Sequence, residues 1–147
     1  MLAKSRVFKT SFFKTYTPNL QSNRHMKYLI RIEEAVKFGL TFYSSIQLGF
    51  SPWTYLAFLL LPDVSMVGYL VNTKVGAYAY NLVHHQGIGL IVLLIGYLLE
   101  QPALMFTGLI LVGHSSMDRM LGYGLKYGDD FKNTHLGWIG KQENIRS

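Results

Sequence analysis

Residues 88–99 read IGLIVLLIGYLL, and this stretch contains no charged side chain. It continues a region that begins near residue 75, so the apolar segment covers about residues 75–99. A helix needs about 20 apolar residues to cross the roughly 30 Å of hydrocarbon in a bilayer. Length and hydropathy together therefore predict a membrane-spanning helix here.

Three further apolar segments have a similar length. They cover about residues 28–50, 53–71 and 103–121, and the breaks between segments contain SP at 51–52, NTK at 72–74 and EQP at 100–102. Pro, Asn and Ser are typical of turns, and short connections between long helices make neighbours antiparallel. We therefore predict an all-α fold, an integral-membrane bundle of four transmembrane helices arranged up-down-up-down.

The composition agrees with a membrane protein. Of the 147 residues, 50% are hydrophobic and only 15% are charged, whereas a soluble domain has about 25% charged residues. This hydrophobicity excludes a disordered chain. The chain contains no Cys. Its composition therefore also excludes a disulfide scaffold, thiolate metal sites and a cysteine nucleophile.

The net charge of +6 arises from the N-terminal tail, residues 1–27. This tail holds six Lys and Arg residues and no acid, and the remaining eight basic residues balance the eight acids. Lys74 lies between the second and third segments, and Lys126 and Lys132 follow the fourth. Positive residues favour the cytoplasmic side, so we expect both termini there.

This charge distribution also bears on domains and partners. We expect a flexible basic tail at 1–27, a transmembrane domain at 28–121 and a cytoplasmic C-terminal tail at 122–147. The bilayer itself is the expected partner, with anionic lipids at the basic tail. We do not expect nucleic acid binding.

Several ionisable residues interrupt the apolar segments. Each costs about 2.5–3.5 kcal/mol of insertion free energy at the centre of a spanning helix. Such residues therefore persist where they are paired, hydrated or functional. With about 1.5 Å of rise per residue, four of them lie roughly 9–13 Å from the cytoplasmic end of their segments. These four residues, one on each segment, are Glu34, Asp63, His84 and His114. We therefore predict a polar layer in the cytoplasmic half of the bundle.

The residue types in this layer suit a metal ion. His114 and Asp118 are four residues apart and share a helix face. Together with Asp63 and His84 they offer nitrogen and oxygen ligands suited to Zn, Mn or Fe. His84 is preferred over His85 because it follows Asn81 by about one turn. We predict a divalent metal held by Asp63, His84, His114 and Asp118, with His135 or Glu34 transferring the proton in catalysis.

An alternative explains the same residues without a metal. His114 and Asp118 then form a hydrogen-bonded pair that fastens helices together, and Glu34 is balanced by pairing within the first helix. In either case, Pro62 removes one helical hydrogen bond and frees the carbonyl one turn earlier, which needs a partner in lipid. A kink beside Asp63 would open room for water or an ion.

Three motifs carry a resemblance to a known family. They are PDVSMVGY at 62–69, AYNLVH at 79–84 and the C-terminal HSSMDRMLGYGLKY at 114–127 followed by FKNTHLG at 131–137. Together they resemble the small bacterial integral-membrane proteins grouped as domain of unknown function 4260. The resemblance implies about four membrane helices, a location in a bacterial inner membrane and no agreed activity. A looser similarity, in residue types alone, connects the chain with membrane-bound metal-dependent hydrolases.

Two functions from different classes follow. The first is a metal-dependent membrane hydrolase that acts on a lipid-like or cytoplasm-facing substrate. The second is a non-catalytic membrane protein whose polar layer joins helices or forms a half-site for a small ion or a proton. The absence of a matching polar layer in the outer half disfavours a channel through the membrane.

Overall fold

A computed structural model describes residues 20–140, with side chains from residue 25 onward. The chain is almost entirely helical, which confirms the predicted all-α class. The helices are α1 (Leu20–Gln47), α2 (Pro52–Leu59), a 3₁₀ helix (Leu61–Leu70), α3 (Thr73–His84), α4 (Gln86–Leu98) and α5 (Pro102–Leu121), followed by the short strands β1 (Asn133–Thr134) and β2 (Gly137–Trp138). The prediction of a flexible tail concerns residues that lie largely outside the described ones.

Helix α5 is the central element of the fold. It packs along α1 on one side and along α4 on the other, and most of its residues from Phe106 to Ser116 are buried. Glycines allow the close approach to α4, because a Cβ at Gly108 would lie 2.5 Å from the backbone nitrogen of Leu93. Small residues at such positions let helix backbones come together.

An aromatic core lies at one end of this bundle. Tyr55, Leu59, Phe106 and Ile110 are buried together, and Tyr55 packs edge-on against Phe42 with 5.2 Å between ring centroids. The Tyr55 hydroxyl shares a hydrogen bond of 2.8 Å with Thr41 Oγ1. A buried hydroxyl requires such a partner, so this bond fixes α2 against α1.

Two of the predicted spans are broken in the structure. The segment predicted at 53–71 ends as an α-helix at Leu59 and continues as a 3₁₀ helix. Pro62 lacks an N–H, and the Asp63 N–H donates to Leu60 O at 3.2 Å, an i→i−3 bond typical of a 3₁₀ turn. The segment predicted at 75–99 divides at His85, whose extended backbone separates α3 from α4.

The boundaries of the other two predicted spans differ less from those of the helices in the structure. The first helix begins at Leu20 and ends at Gln47, earlier at both ends than the predicted 28–50, while α5 agrees closely with the predicted 103–121. By length and composition, the part from Pro52 to Leu70 can cross a membrane. Helices α3 and α4, bent by 45° at their junction, pass the same test as a pair. One or two spans are thus supported, and the four-span topology stays a prediction.

The C-terminal segment folds back onto the helices. Gly122 ends α5 with a left-handed φ of 97°, a conformation that glycine adopts without strain. Strands β1 and β2 then form an antiparallel pair. Asn81 of α3 anchors this segment through both groups of its amide, because its Nδ2 donates to Lys126 O at 2.8 Å and its Oδ1 accepts from Lys126 N at 2.7 Å.

Candidate metal centre

Four side chains from three helices converge at one point. They are Asp63 in the first turn of the 3₁₀ helix, His84 at the end of α3, and His114 and Asp118 one turn apart on α5. One ligand atom from each lies within 4.8 Å of the others. The structure therefore brings together the four residues that the sequence nominated as metal ligands.

Backbone carbonyls orient both imidazole rings. His84 Nδ1 lies 2.9 Å from Tyr80 O, and His114 Nδ1 lies 2.7 Å from Leu59 O. A carbonyl oxygen only accepts, so each Nδ1 carries the proton and donates. In a neutral ring, this leaves a lone pair on each Nε2.

The two Nε2 atoms face each other at 2.9 Å. Two lone pairs at this distance repel unless a cation or a further proton lies between them. A carbonyl or carboxylate at the other ring nitrogen is the usual partner of a metal-ligating histidine. The pair is thus arranged as ligands of a single positive centre.

The carboxylates complete the set of four candidate ligands. Asp63 Oδ1 lies 3.4 Å from His114 Nε2 and 3.5 Å from His84 Nε2. Asp118 Oδ2 lies 3.6 Å from His84 Nε2 and 3.8 Å from His114 Nε2. Ligand bonds of about 2.0–2.1 Å around a tetrahedral zinc separate neighbouring ligand atoms by about 3.3–3.4 Å. The four carboxylate–imidazole distances lie at or slightly above this value, and the 2.9 Å between the two Nε2 atoms lies below it. The chemistry of the four ligands therefore fits a single divalent ion, which would move the two imidazoles slightly apart.

The helix break at Leu60 supplies one of the two orienting carbonyls. In a continuous α-helix, the N–H of Asp63 would donate to Leu59 O. Because Asp63 N–H donates to Leu60 O instead, Leu59 O can accept from His114. The sequence predicted that Pro62 frees the carbonyl one turn earlier, that of Phe58, whereas the carbonyl that His114 contacts is that of Leu59.

Burial differs across the four ligands. The side chains of His84 and His114 are 2% and 0% exposed, and that of Asp118 is 15% exposed, whereas that of Asp63 is 43% exposed. The cluster is therefore accessible from outside the protein on the side of Asp63. The neighbouring His85 is exposed, so the expectation that His84 faces the bundle agrees with the structure.

Tyr80 belongs to this site, and the sequence analysis missed it. Its hydroxyl donates to Asp118 Oδ2 at 2.6 Å, and its ring stacks on His84 with 3.6 Å between centroids. The signal was available, because Tyr80 precedes His84 by four residues and so lies on the same face of a helix. Tyr80 holds both a carboxylate and an imidazole of the cluster in position.

Lys126 lies behind Tyr80 and is buried. Its Nζ donates to Phe131 O at 3.0 Å and lies 4.9 Å from the centroid of the Tyr80 ring. Burial lowers the pKa of Lys126, and the charges of Asp118 and Asp63 oppose this effect. The segment predicted as a cytoplasmic tail therefore packs against the candidate site.

Glu34 occupies a second polar cluster. Its carboxylate accepts from Lys37 Nζ at 2.9 Å and from Gln86 Nε2 at 2.6 Å, and Gln86 Nε2 also donates to Ser116 at 3.0 Å. Ser116 lies two residues from both His114 and Asp118, so it points to the opposite face of α5. These contacts join α1, α4 and α5, and the catalytic role of Glu34 stays a prediction.

His135 lies in the C-terminal segment. Its Nδ1 accepts from the N–H of Leu125 at 2.8 Å, so this nitrogen is unprotonated. Partial burial lowers the pKa of His135, and the positive charge of Arg119 acts in the same direction. Its contact fixes the loop after α5, while its role as a proton carrier is a prediction that these contacts do not test.

Comparison with known proteins gives one match. Neither the curated proteins nor the solved structures include a match to this chain, so the looser similarity to hydrolases gains no support. A family model matches residues 27–139, which include all four candidate ligands, Tyr80 and Lys126. Since this match covers most of the chain, the protein belongs to the family described as domain of unknown function 4260.

Proposed function

We propose that this chain is a membrane protein that binds one divalent metal ion through Asp63, His84, His114 and Asp118 and uses it in hydrolysis. The observation that carries the proposal is the opposed pair of histidine Nε2 atoms, 2.9 Å apart. Both rings already donate through Nδ1. A cation between the two Nε2 atoms satisfies both lone pairs and the two carboxylates at once.

The open side of the site favours catalysis over a purely structural role. Structural zinc sites are closed by four protein ligands, whereas catalytic sites retain a position for water or substrate. The Asp63 side chain is 43% exposed, so displacement or rotation of this one ligand opens the site to solvent. A bound divalent ion supplies an acidified water near neutral pH.

The chain's own residues would divide the remaining tasks. His84 and His114 hold fixed positions through their carbonyl partners, Tyr80 keeps Asp118 oriented, and Asp63 faces the entry for water and substrate. The hydroxyl of Tyr80 is the nearest donor to Asp118 among the described contacts. We retain Zn, Mn and Fe as the candidate ions, because two nitrogen and two oxygen ligands suit each of them.

Exposed apolar side chains support a location in the membrane. On α1, an exposed row repeats at helical spacing, consisting of Leu29, Ile32, Val36, Leu40 and Tyr43. Further exposed large side chains follow from Trp53 to Val71 and from Leu90 to Leu99. Soluble monomers rarely expose contiguous apolar areas of this extent. In our proposal these surfaces contact lipid and the substrate is lipid-like or faces the cytoplasm.

Metal content tests the proposal directly. Elemental analysis of the detergent-purified full chain is expected to find about one divalent ion per chain, and chelation is expected to lower the unfolding temperature. His84→Gln is expected to lose the ion. His85→Gln is the matched control, because it makes the same substitution at the exposed neighbour and is expected to retain the ion.

The alternative function makes the opposite prediction. If the cluster only joins helices, one histidine carries an extra proton and the carboxylates stabilise it. The purified protein would then contain no stoichiometric metal, chelation would leave the unfolding temperature unchanged, and His84→Gln would lose stability in the absence of any metal. That set of results would overturn the metal proposal.

Hydrolysis is tested separately from metal binding. The metal-loaded protein in micelles is assayed with fluorogenic amphiphiles that carry ester, amide or phosphodiester bonds. Turnover by the wild type and its loss in His84→Gln, with His85→Gln still active, would support the enzyme. Bound metal without turnover on any of these bonds would leave a metal-binding protein and exclude the hydrolase for these substrates.

A further inference from the structure

Two buried hydroxyl groups on the 3₁₀ helix lack a hydrogen-bond partner. Among the residues with described side chains, Ser65 Oγ and Tyr69 Oη are buried and form no such bond. A buried hydroxyl without a partner lowers stability, and most buried polar atoms in folded proteins are paired. Both groups belong to the helix that presents Asp63, so they point to a bound group at this helix that pairs with them.

The geometry of the 3₁₀ helix places Tyr69 on the same side as Asp63. Such a helix has about three residues per turn, so positions 63, 66 and 69 form one face. A second row, at positions 61, 64, 67 and 70, is apolar and exposed. The face that carries the metal ligand Asp63 is therefore continued by Tyr69, two turns further along the helix.

Packing directs the Tyr69 ring toward the metal centre. The ring lies against Gly76 of α3, where any side chain would overlap it, and it meets the ring of Phe131 edge-on with 5.2 Å between centroids. Tyr80 follows Gly76 by one helical turn, and its hydroxyl is near enough to interact electrostatically with that of Tyr69. Because the Tyr80 hydroxyl donates to Asp118, Tyr69 extends the polar face of the metal centre beyond Tyr80.

Lys126 adds a buried positive charge beside the same residues. Its Nζ lies 3.7 Å from the centroid of the Phe131 ring and 4.9 Å from that of the Tyr80 ring, and such contacts favour a charged ammonium group. One of its three N–H groups donates to Phe131 O. Within residues 25–140, no carboxylate lies at ion-pair distance from this Nζ, so it keeps the capacity to donate to a ligand.

The charge balance of the loaded site favours an anionic ligand. Asp63 and Asp118 act electrostatically on Lys126, but a divalent ion at the four candidate ligands would take up both of these negative charges. The loaded centre would then be neutral, and Lys126 would add one positive charge. A buried charge requires a partner, so the group that completes the site carries negative charge.

We propose that the metal centre takes a phosphoric ester as its substrate and that Tyr69 and Lys126 bind the phosphoryl oxygens. This inference rests on the metal-dependent hydrolysis proposed above. A phosphoryl group carries negative charge and several strong acceptor oxygens, whereas a carboxylic ester or an amide is neutral. The substrate enters beside Asp63, whose side chain is 43% exposed, and its oxygens extend toward the Tyr69 hydroxyl.

Hydrolysis of such an ester transfers the phosphoryl group to water. The water oxygen forms a bond to phosphorus, the bond from phosphorus to the alcohol oxygen breaks, and a proton from the water ends on the released alcohol. Tyr69 and Lys126 stay covalently unchanged. They donate hydrogen bonds to the non-bridging oxygens, which carry the charge of the transition state.

Three substrates with one leaving group test the substrate class. The metal-loaded full chain in detergent is assayed with bis(p-nitrophenyl) phosphate, p-nitrophenyl phosphate and p-nitrophenyl acetate. We expect turnover of a phosphate ester that His84→Gln abolishes. Turnover of the acetate alone would overturn this inference and leave the hydrolase standing. Absence of bound metal, or of turnover on all three, would overturn both proposals.

Tyr69→Phe is the decisive variant, because it removes the hydroxyl and keeps the ring that packs on Gly76. In the metal-free protein we expect the unfolding temperature to rise by about 2–4 °C, since an unpaired buried hydroxyl is lost. In the metal-loaded protein we expect inorganic phosphate to bind about tenfold more weakly than to the wild type. Thermal unfolding in phosphate, against sodium chloride of the same ionic strength, measures this. Metal content is expected to stay unchanged.

Matched variants control for general effects of the substitutions. Tyr78→Phe removes the hydroxyl of an exposed tyrosine on α3, and it is expected to leave both stability and phosphate binding unchanged. Lys126→Met is expected to weaken phosphate binding, whereas Lys74→Met, at an exposed position, is not. A lower unfolding temperature in metal-free Tyr69→Phe would show that the hydroxyl already has a partner. That result, or equal phosphate binding by Tyr69→Phe and Tyr78→Phe, would overturn the inference.

Discussion

At the scale of single residues, the positions of the two ring nitrogens decide the chemistry of His84 and His114. A carbonyl of α3 holds one ring, and a carbonyl at the end of α2 holds the other. Neither ring can turn without losing a buried hydrogen bond, which costs about 1–3 kcal/mol. The cluster is therefore preorganised before any ion binds.

Tyr80→Phe tests this preorganisation. The substitution keeps the ring that stacks on His84 and removes the hydroxyl that donates to Asp118. Because partners of this kind typically change metal affinity by about 10–100-fold, we expect a loss of that size with the metal still bound at saturation. Competition with a chelator of known affinity measures it. Tyr78→Phe changes an exposed residue on the same helix, and an equal loss there would contradict the assignment.

His135 gives a prediction about pH. Its folded pKa lies below its ordinary value of 6.5, so below about pH 6.5 the unfolded chain binds a proton that the folded chain resists. Stability from this residue is thus present above pH 6.5 and decreases as the pH falls toward the folded pKa. We expect a lower unfolding temperature at about pH 5.5 than at about pH 7.5.

The contribution of His135 is isolated by comparing variants. His135→Asn is expected to show a smaller loss of stability between these two pH values than the wild type. His85→Gln replaces an exposed histidine and is expected to keep the wild-type loss. If His135→Asn and the wild type lose the same stability, the pH dependence arises elsewhere, for instance at the metal ligands.

At the scale of elements, interruptions in the helices create the site. The change from α2 to the 3₁₀ helix frees Leu59 O and presents Asp63, and the break at His85 ends α3 directly after His84. A long 3₁₀ helix is uncommon. Here it keeps Asp63 beside the histidines while the 3₁₀ helix packs against α3.

The close contact between α4 and α5 predicts that a larger residue at their interface destabilises the protein. A Cβ at Gly108 would meet backbone atoms of Leu93 at 2.5 and 2.6 Å, which no side-chain rotation relieves. We therefore expect Gly108→Ala to separate the helices and to cost about 1–3 kcal/mol. Thermal or detergent-induced unfolding measures the change.

Gly39→Ala is the matched control for Gly108→Ala. Gly39 also lies inside a helix, and no heavy atom lies within 4 Å of a Cβ placed there. Since alanine favours a helix over glycine by up to about 1 kcal/mol, this variant is expected to be neutral or stabilised. Equal destabilisation by both substitutions would show that the close helix contact is not the cause.

At the scale of the whole molecule, the structure supports fewer candidate membrane-spanning helices than the sequence predicted. One or two segments pass the criteria of length and composition, whereas the hydropathy of the sequence predicted four. Helices α1 and α5 both carry charged or polar residues. Several of these residues are buried where α5 packs against the neighbouring helices.

Site-directed labelling tests the four-span topology. The chain contains no Cys, so a single introduced cysteine is labelled without background. Ser51→Cys and Glu100→Cys are expected to react with an impermeant maleimide from outside the cell, and Lys74→Cys only after the membrane is opened. Labelling of all three from one side would contradict the up-down-up-down arrangement, and the unchanged chain is the control.

The sequence by itself determined the all-helical class, the family, the approximate limits of α5 and the identity of the four clustered side chains. Hydropathy and helical spacing carry this information because they depend on residues close together in the chain. The same reasoning underlies the choice of His84 over His85. It could not show that Tyr80 and Lys126 join the cluster, although the spacing of Tyr80 and His84 was a usable signal.

Only the tertiary structure decided where the helices break, how the imidazole rings are oriented and which face of α5 Glu34 contacts. The break at Leu60 is tolerated because a distant group, the ring of His114, satisfies the carbonyl of Leu59 that the break frees. Likewise, Glu34 and Asp63 were indistinguishable by predicted depth, yet they contact opposite faces of α5. The rotation of each helix about its axis separates them, and that rotation is set by packing between helices that are far apart in sequence.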